Sequence, residues 1–309
     1  MASTHAKYYF SVTRHIIPYF EKTSLRKINQ QVINAFISEK AISGKLDGKG
    51  GLASKTIHDL IILLNQILEY AKSNDYFTHI DYDFSVPKAT APTLDILSLS
   101  EQKQFEQAII ENLKPETLGF LIALFTGVRI GELCALIWSD IHLDEKYIRI
   151  TKTLQRINNT EPSRTAKTKI VIGQAKSKRS VRNIPIPPFL LEILTTFKAG
   201  DDAFVLTGEK DKFFEPRTYQ TKYKKFLKEN KIRDVNFHIL RHTFATRAIE
   251  QGFDIKSLSE ILGHSSVSFT LEKYVHSSFE LKKLHMDKMG LFADRGQNMG
   301  QKNERGLDK

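Results

Sequence analysis

Between residues 82 and 98 the chain carries Pro87 and Pro92 and loses the helical spacing of apolar residues found on either side. This break constrains the fold more than any other feature. Proline fixes φ, lacks a backbone donor and disfavours helix in the residue before it. No regular element runs through such a stretch, so the chain is expected to build two units joined there. Its 309 residues suffice for two ordinary cores.

Ahead of the break the pattern is helical. Aromatic and aliphatic residues recur at helical spacing over 8–20, ending near Pro18, and Ile28, Val32, Ile33 and Phe36 share a stripe over 27–40. A glycine-rich basic loop over 43–51 follows. Ser54 reads as the N-cap of a long helix in which Ile57, Leu60, Ile61, Leu64, Ile67, Leu68 and Ala71 keep the i, i+3, i+4 pattern, with Lys55, His58 and Asn65 on its other face. The glycines near Lys55 do not make a nucleotide-binding loop: Ser54 stands where a glycine must precede the lysine, and no strand leads in. Beyond the break, helices resume after Ser100 and run through 118–124. Strand-like alternation follows over 147–155, 168–172 and 182–186, and helices return, most clearly over 237–251 and 255–262. The expected division is a helical domain over 1–85, a linker over 86–98, a mainly α domain with a small antiparallel β-sheet over 99–292, and a disordered tail over 293–309.

The charge points to a polyanion. Lys and Arg number 46 against 35 Asp and Glu, a formal net charge of +11, and each phosphate neutralised by a cation releases condensed counterions. Cys134 is the single cysteine, which excludes an intrachain disulfide and a cysteine-rich zinc site; within its apolar run it reads as a small buried hydrophobe. No apolar run reaches the length of a membrane span, and the first twenty residues have no signal core. A cytoplasmic protein without membrane contacts is the expectation.

Four short segments carry chemistry. In Thr126-Gly127-Val128-Arg129-Ile130-Gly131-Glu132 an arginine emerges from an apolar helix with Glu132 one turn on, able to hold its side chain. Ala175-Lys176-Ser177-Lys178-Arg179-Ser180 lies between two expected strands as a cationic hairpin tip, suited to solvent, a phosphate or a minor groove alike. In His238-Ile239-Leu240-Arg241-His242-Thr243-Phe244, His238 and Arg241 share a helix face and make an anion site, while His242 points elsewhere and reads as structural. In Leu262-Gly263-His264-Ser265-Ser266, Gly263 reads as a helix C-terminal residue with His264 in the turn beyond it, and Tyr274 follows on a short helix where a packed tyrosine is the plain alternative.

Taken together, Arg129, Lys176, His238, Arg241, His264 and Tyr274, in that order, resemble the active-site pattern of the tyrosine recombinase (phage integrase) family. The contexts Thr-Gly-x-Arg-x-Gly-Glu, Leu-Arg-His-Thr-Phe-Ala-Thr and Leu-Gly-His-Ser-Ser resemble it too, with the texture of integrases from conjugative transposons and temperate phages. The resemblance implies a SAM-like helical core-binding domain ahead of a mixed α/β catalytic domain, clamped on double-stranded DNA. It implies site-specific cleavage and rejoining through a 3′-phosphotyrosyl intermediate, integrating or excising a mobile element without metal, ATP or other cofactor. Tyr274 would be the nucleophile and Lys176 the general acid, with Lys178 its rival. Arg129, Arg241, His238 and His264 would bind the scissile phosphate, and His238 could accept the tyrosine proton. Glu132 would orient Arg129, while Lys55, Lys178 and Arg179 would contact DNA.

A homotetramer would form the synaptic complex, accessory bending or excision factors could join it, and the segment over 279–291 would be exchanged between subunits. Transposon-type relatives often carry a further N-terminal arm-binding domain, so this chain is expected to be either a two-domain recombinase or a truncated form. Two other readings compete: a type IB topoisomerase that only relaxes DNA, and a non-catalytic DNA-binding regulator of recombination. For a clamp on the duplex, non-specific affinity measured by fluorescence anisotropy should fall with salt at a log–log slope of about −0.9 per phosphate contacted; an affinity indifferent to salt would contradict the clamp.

Overall fold

The computed structural model describes residues 2–76, 95–160, 166–174, 180–264, 266–274 and Met286. The N-terminal part is helical: α1 (Ala2–Ser11) continues through a π-helical turn (Val12–Ile16) into α2 (Ile17–Phe20), followed by α3 (Gln30–Ser43) and α4 (Ser54–Ser73). Asn29 caps α3, its Oδ1 accepting from the Val32 N–H at 3.1 Å. The cap expected at Ser54 is not made: Ala53 holds the N-cap position, no side chain caps the helix, and Ser54 is already its first residue. The apolar stripe does form as its spacing requires. Ile57, Leu60, Ile61, Leu64 and Leu68 are buried against Ile16, Ile33 and Phe36, while Lys55 and His58 lie exposed.

The second core begins before residue 99. Leu97, in the stretch expected to be linker, is fully buried in it. Asp95 pairs with Arg233, and Ser98 caps α5 (Leu99–Glu111) through a reciprocal box with Glu101. Next comes α6 (Pro115–Thr126), in which every residue from Thr117 to Leu124 is buried. A helix apolar all round has no solvent face to offer, so it becomes the axis on which others pack. Phe120 at its middle lies 5.2–6.3 Å between ring centroids from Tyr219, Phe226, Tyr223, Phe105 and Phe237. The helices that supply these rings include α9 (Pro216–Glu229), placed after α7 (Ile130–Cys134) and α8 (Pro188–Phe197). Cys134 is buried in the same core.

The expected strand over 147–155 is two strands in different sheets, β2 (Tyr147–Ile150) and β3 (Lys152–Asn158). The first joins β1 (Ile141–His142) and β5 (Arg182–Pro185) in an antiparallel sheet of order β1-β2-β5, and β3 forms a separate antiparallel pair with β4 (Thr168–Gln174). β4 and β5 therefore lie in different sheets among the described residues. Lys176, Lys178 and Arg179 themselves lie outside the described residues, as do the tail over 293–309 and, Met286 apart, the segment over 279–291. Three helices close the described chain: α10 (His238–Glu250), α11 (Ile255–Leu262) and α12 (Val267–Tyr274). No helix among the described residues is long and apolar enough to cross a membrane.

Packing around α6 leaves no room at Gly119. A Cβ there would stand 2.2 Å from the Tyr219 hydroxyl, which donates to the Glu116 carbonyl, and 2.3 Å from Leu206. Gly119→Ala should therefore destabilise the protein by about 1–3 kcal/mol through overpacking, despite alanine's better helix propensity. Denaturant unfolding measures it; an unchanged midpoint would contradict the packing described here.

Candidate active site

The site is assembled from helix ends. α6 stops at Gly127, which takes the left-handed conformation (φ 64°) that glycine adopts without steric cost. A side chain would also collide here, since a Cβ would come within 2.7 Å of both Leu262 and Phe244. The turn delivers Arg129 to the head of α7. Glu132, one turn into α7, reaches back to accept from the Arg129 backbone N–H (2.9 Å) and from its Nη1 (2.9 Å).

A second arginine holds the other side of Glu132. Arg182 donates through Nη1 and Nη2 to the two carboxylate oxygens, at 3.1 and 2.8 Å. Strand alternation explains its direction: on β5, Arg182 and Ile184 are buried while Asn183 and Pro185 are exposed. Burial would raise the Glu132 pKa, but the hydrogen bonds and charge of Arg182, together with the N–H and charge of Arg129, outweigh it and hold the carboxyl at about 2.

The end of α11 gathers three guanidinium groups. Its last carbonyls lack helical donors and carry the negative end of the helix dipole. The Ile261 carbonyl accepts from Arg182 Nε (2.6 Å), that of Leu262 from Arg241 Nη2 (2.7 Å), and that of Gly263, the left-handed cap, from Arg129 Nη2 (3.1 Å). Arg241 also donates to the Gly127 carbonyl at 2.6 Å, tying the end of α6 to the end of α11. Burial, with the charges of Arg129 and Arg182, lowers the Arg241 pKa to about 9, which still leaves a cation at neutral pH. Arg182 and Arg241 are buried, whereas the Arg129 side chain is 38% exposed. Three guanidiniums against one carboxylate make a site that can hold an oxyanion.

The tyrosine and histidines line the same place. Tyr274, at the end of α12, is buried with Leu258 and Leu262, and His264 lies with its ring parallel to it at 6.1 Å. His264 Nδ1 is 2.8 Å from Thr270 Oγ1, which orients its ring. Burial raises the Tyr274 phenol pKa, against the lowering charges of Arg241 and Arg129. The Tyr274 hydroxyl stands 2.8 Å from Nδ1 of His242, the residue read from sequence as structural and pointing elsewhere. His238, one helical turn earlier on α10, is exposed and meets the His242 ring edge-on at 4.6 Å.

Arg129, Glu132, Arg241, His264 and Tyr274 thus converge, with His238 one ring further out. Lys55 lies on the N-terminal helix α4. Two neighbours escaped the sequence reading. Arg182 could have been found from alternation, because an arginine in register with Ile184 must point inward and needs a buried carboxylate. His242 carried a weaker signal, standing i+4 from His238 and so sharing its helix face, but its contact with Tyr274 depends on where α12 docks.

Comparison with known proteins shows the family and the fold. The pattern of the phage integrase family matches residues 97–280. A XerC-like tyrosine recombinase from Caldanaerobacter subterraneus subsp. tengcongensis is 29% identical over 251 residues, covering 73% of this chain and 63% of that protein, so the chain spans less than two thirds of that relative. The ICEBs1 integrase of Bacillus subtilis is 25% identical over 91% of this chain and 75% of its own length, and the tyrosine recombinase XerA of Thermococcus onnurineus 32% over 67% and 68%. The fold is shared with the Tn1549 transposon integrase, solved in complex with transposon right end DNA (TM-score 0.67, 22% identity, 85% of this chain and 86% of that one).

Glu132→Gln removes the negative charge between two arginines and should cost about 3–5 kcal/mol, as for other buried pairs that lose one partner. In the wild type the Glu132 contribution is complete above the ordinary glutamate value of 4.5 and disappears as pH falls toward 2. Unfolding measured at about pH 7 and about pH 3 should therefore show the gap between the two proteins narrowing in acid; a gap independent of pH would contradict this account.

Proposed function

This chain belongs to the phage integrase family, and on that footing we propose that it is a site-specific DNA recombinase that cuts and rejoins strands through Tyr274. The reading is carried by one observation: Arg129, Arg241, His264 and Tyr274, far apart in sequence, meet where α11 ends. A phosphodiester resists attack because the nucleophile approaches an anion and further charge accumulates on the non-bridging oxygens. Arg129 and Arg241 supply fixed positive charge for those oxygens, and His238 and His264 add hydrogen bonds. Preorganised donors of this kind contribute about a hundredfold to a thousandfold each in rate.

Tyr274 Oη attacks phosphorus in line, the bond to the 5′-oxygen breaks, and a 3′-phosphotyrosyl link with a free 5′-hydroxyl results. The leaving oxygen takes a proton from Lys176, with Lys178 as the rival donor. Because the covalent link conserves the energy of the broken bond, rejoining needs no separate source. Glu132 positions Arg129. The helical N-terminal part, with Lys55 on α4, and the cationic connection with Lys178 and Arg179 grip the duplex. Double-stranded recombination sites of a mobile element are the substrate, and four copies of the chain form the synaptic assembly. Accessory DNA-bending factors fit the same picture, as does a cytoplasmic location.

The test is covalent trapping on a pool of nicked duplexes of randomised sequence, without metal or ATP, with wild type and Tyr274→Phe resolved side by side on a denaturing gel. A DNA-linked band present only in the wild type is expected, and sequencing its DNA reports the preferred site. Tight DNA binding with no band, or a band that survives in Tyr274→Phe, would overturn the reading.

A further inference from the structure

We propose that His242 is a catalytic residue that accepts the proton of the Tyr274 hydroxyl as it attacks and holds it until rejoining. The inference rests on the recombinase reading above and assigns one of its steps.

Geometry selects His242. Its Nδ1 stands 2.8 Å from Tyr274 Oη, within the 2.6–3.2 Å over which a general base takes a proton directly. Among the described residues, the charged and titratable groups around this pair include Arg241, which hydrogen-bonds Tyr274, and His238 on α10, Arg129 at the head of α7 and His264 ahead of α12. An arginine donates only and cannot accept. His264 is turned by its own bond to Thr270 and lies with its ring parallel to that of Tyr274. His242 offers an imidazole nitrogen directly at the reacting oxygen.

Helical spacing places a second imidazole beside His242. His238 and His242 are i and i+4 on α10, and their rings meet at 86° with centroids 4.6 Å apart. His238 opens the helix and is exposed, while His242 is half-buried and Tyr274 buried. The three form a graded series from the apolar cluster around Tyr274 to water.

The step balances. The Oη–H bond breaks as the Oη–phosphorus bond forms; the proton passes to His242 Nδ1, giving an imidazolium. The P–O5′ bond breaks with its electron pair leaving on O5′, which the general acid protonates. Rejoining reverses each transfer, and the imidazolium returns its proton to Tyr274. A buried phenol gains most from such a base, because its own ionisation is opposed by desolvation.

The experiment uses the full chain and a nicked duplex of the sequence captured by trapping, made with either an ordinary scissile phosphate or a 5′-bridging phosphorothiolate, whose thiolate leaves without protonation. Single-turnover cleavage by His242→Gln should be about 100-fold slower than wild type with DNA affinity unchanged. The sulfur substrate should rescue Lys176→Ala but not His242→Gln, and added imidazole should restore part of the activity of His242→Ala. Cleavage by His242→Gln within about threefold of wild type would overturn the assignment, and so would rescue of its defect by the sulfur substrate. If His242→Gln binds DNA poorly, the imidazole rescue of His242→Ala decides, its absence counting against the proposal. These outcomes stand apart from failure of the recombinase reading, in which the wild type itself forms no adduct lost in Tyr274→Phe.

Discussion

Three consecutive carbonyls at the end of α11, each held by a different arginine, are the interaction on which the site depends. Helix C-termini always leave acceptors without helical donors, and Gly263 ends this one by turning left-handed. Here those acceptors are not left to water. Arg182 arrives from the sheet, Arg129 from the turn after α6, and Arg241 from α10. Elements that share little sequence proximity are fixed to one helix end by charge-assisted hydrogen bonds, which are shorter and stronger than neutral ones.

That arrangement rests on the close packing of α6. A helix buried on every side, with Phe120 ringed by aromatic groups and Gly119 pressed against Tyr219, has little freedom to rotate or slide. Its left-handed exit at Gly127 sets the direction of the next two residues and offers the carbonyl that Arg241 grips. Stability and site geometry are thus coupled through one short turn, where the bulk of an alanine side chain would strike both Leu262 and Phe244.

Much of this was legible in the sequence, and the rest was hidden for identifiable reasons. The stripe of α4 and the extent of α11 follow from periodicity, and Glu132 beside Arg129 follows from i, i+3 spacing. The break between β2 and β3 was invisible because both halves alternate in the same way, and only their partners differ: β2 pairs with β5, β3 with β4. Ser54 carried the residue type of a cap one position inside the helix. The direction of His242, toward Tyr274, shows the sharper limit. Helical spacing says which residues share a face of α10, but the identity of what lies against that face is a tertiary fact, decided here by how α12 packs on α10 and α11.

The electrostatics explain why such a site suits an anion that comes and goes. Glu132 neutralises one of three guanidiniums, and carbonyl dipoles satisfy hydrogen bonds without cancelling charge. The low pKa of Glu132 and the depressed one of Arg241 are two sides of that imbalance. Raising the local positive charge further would be costly, since each buried cation disfavours the next. A phosphate entering beside the half-exposed Arg129 would supply negative charge next to the three guanidiniums, and would favour the charged form of Arg241 as it did so. At Tyr274 burial raises the phenol pKa, against the charges of Arg241 and Arg129 and a hydrogen bond from Arg241. On the recombinase reading proposed above, the same burial would make removal of the phenol proton a step served by the imidazole 2.8 Å away.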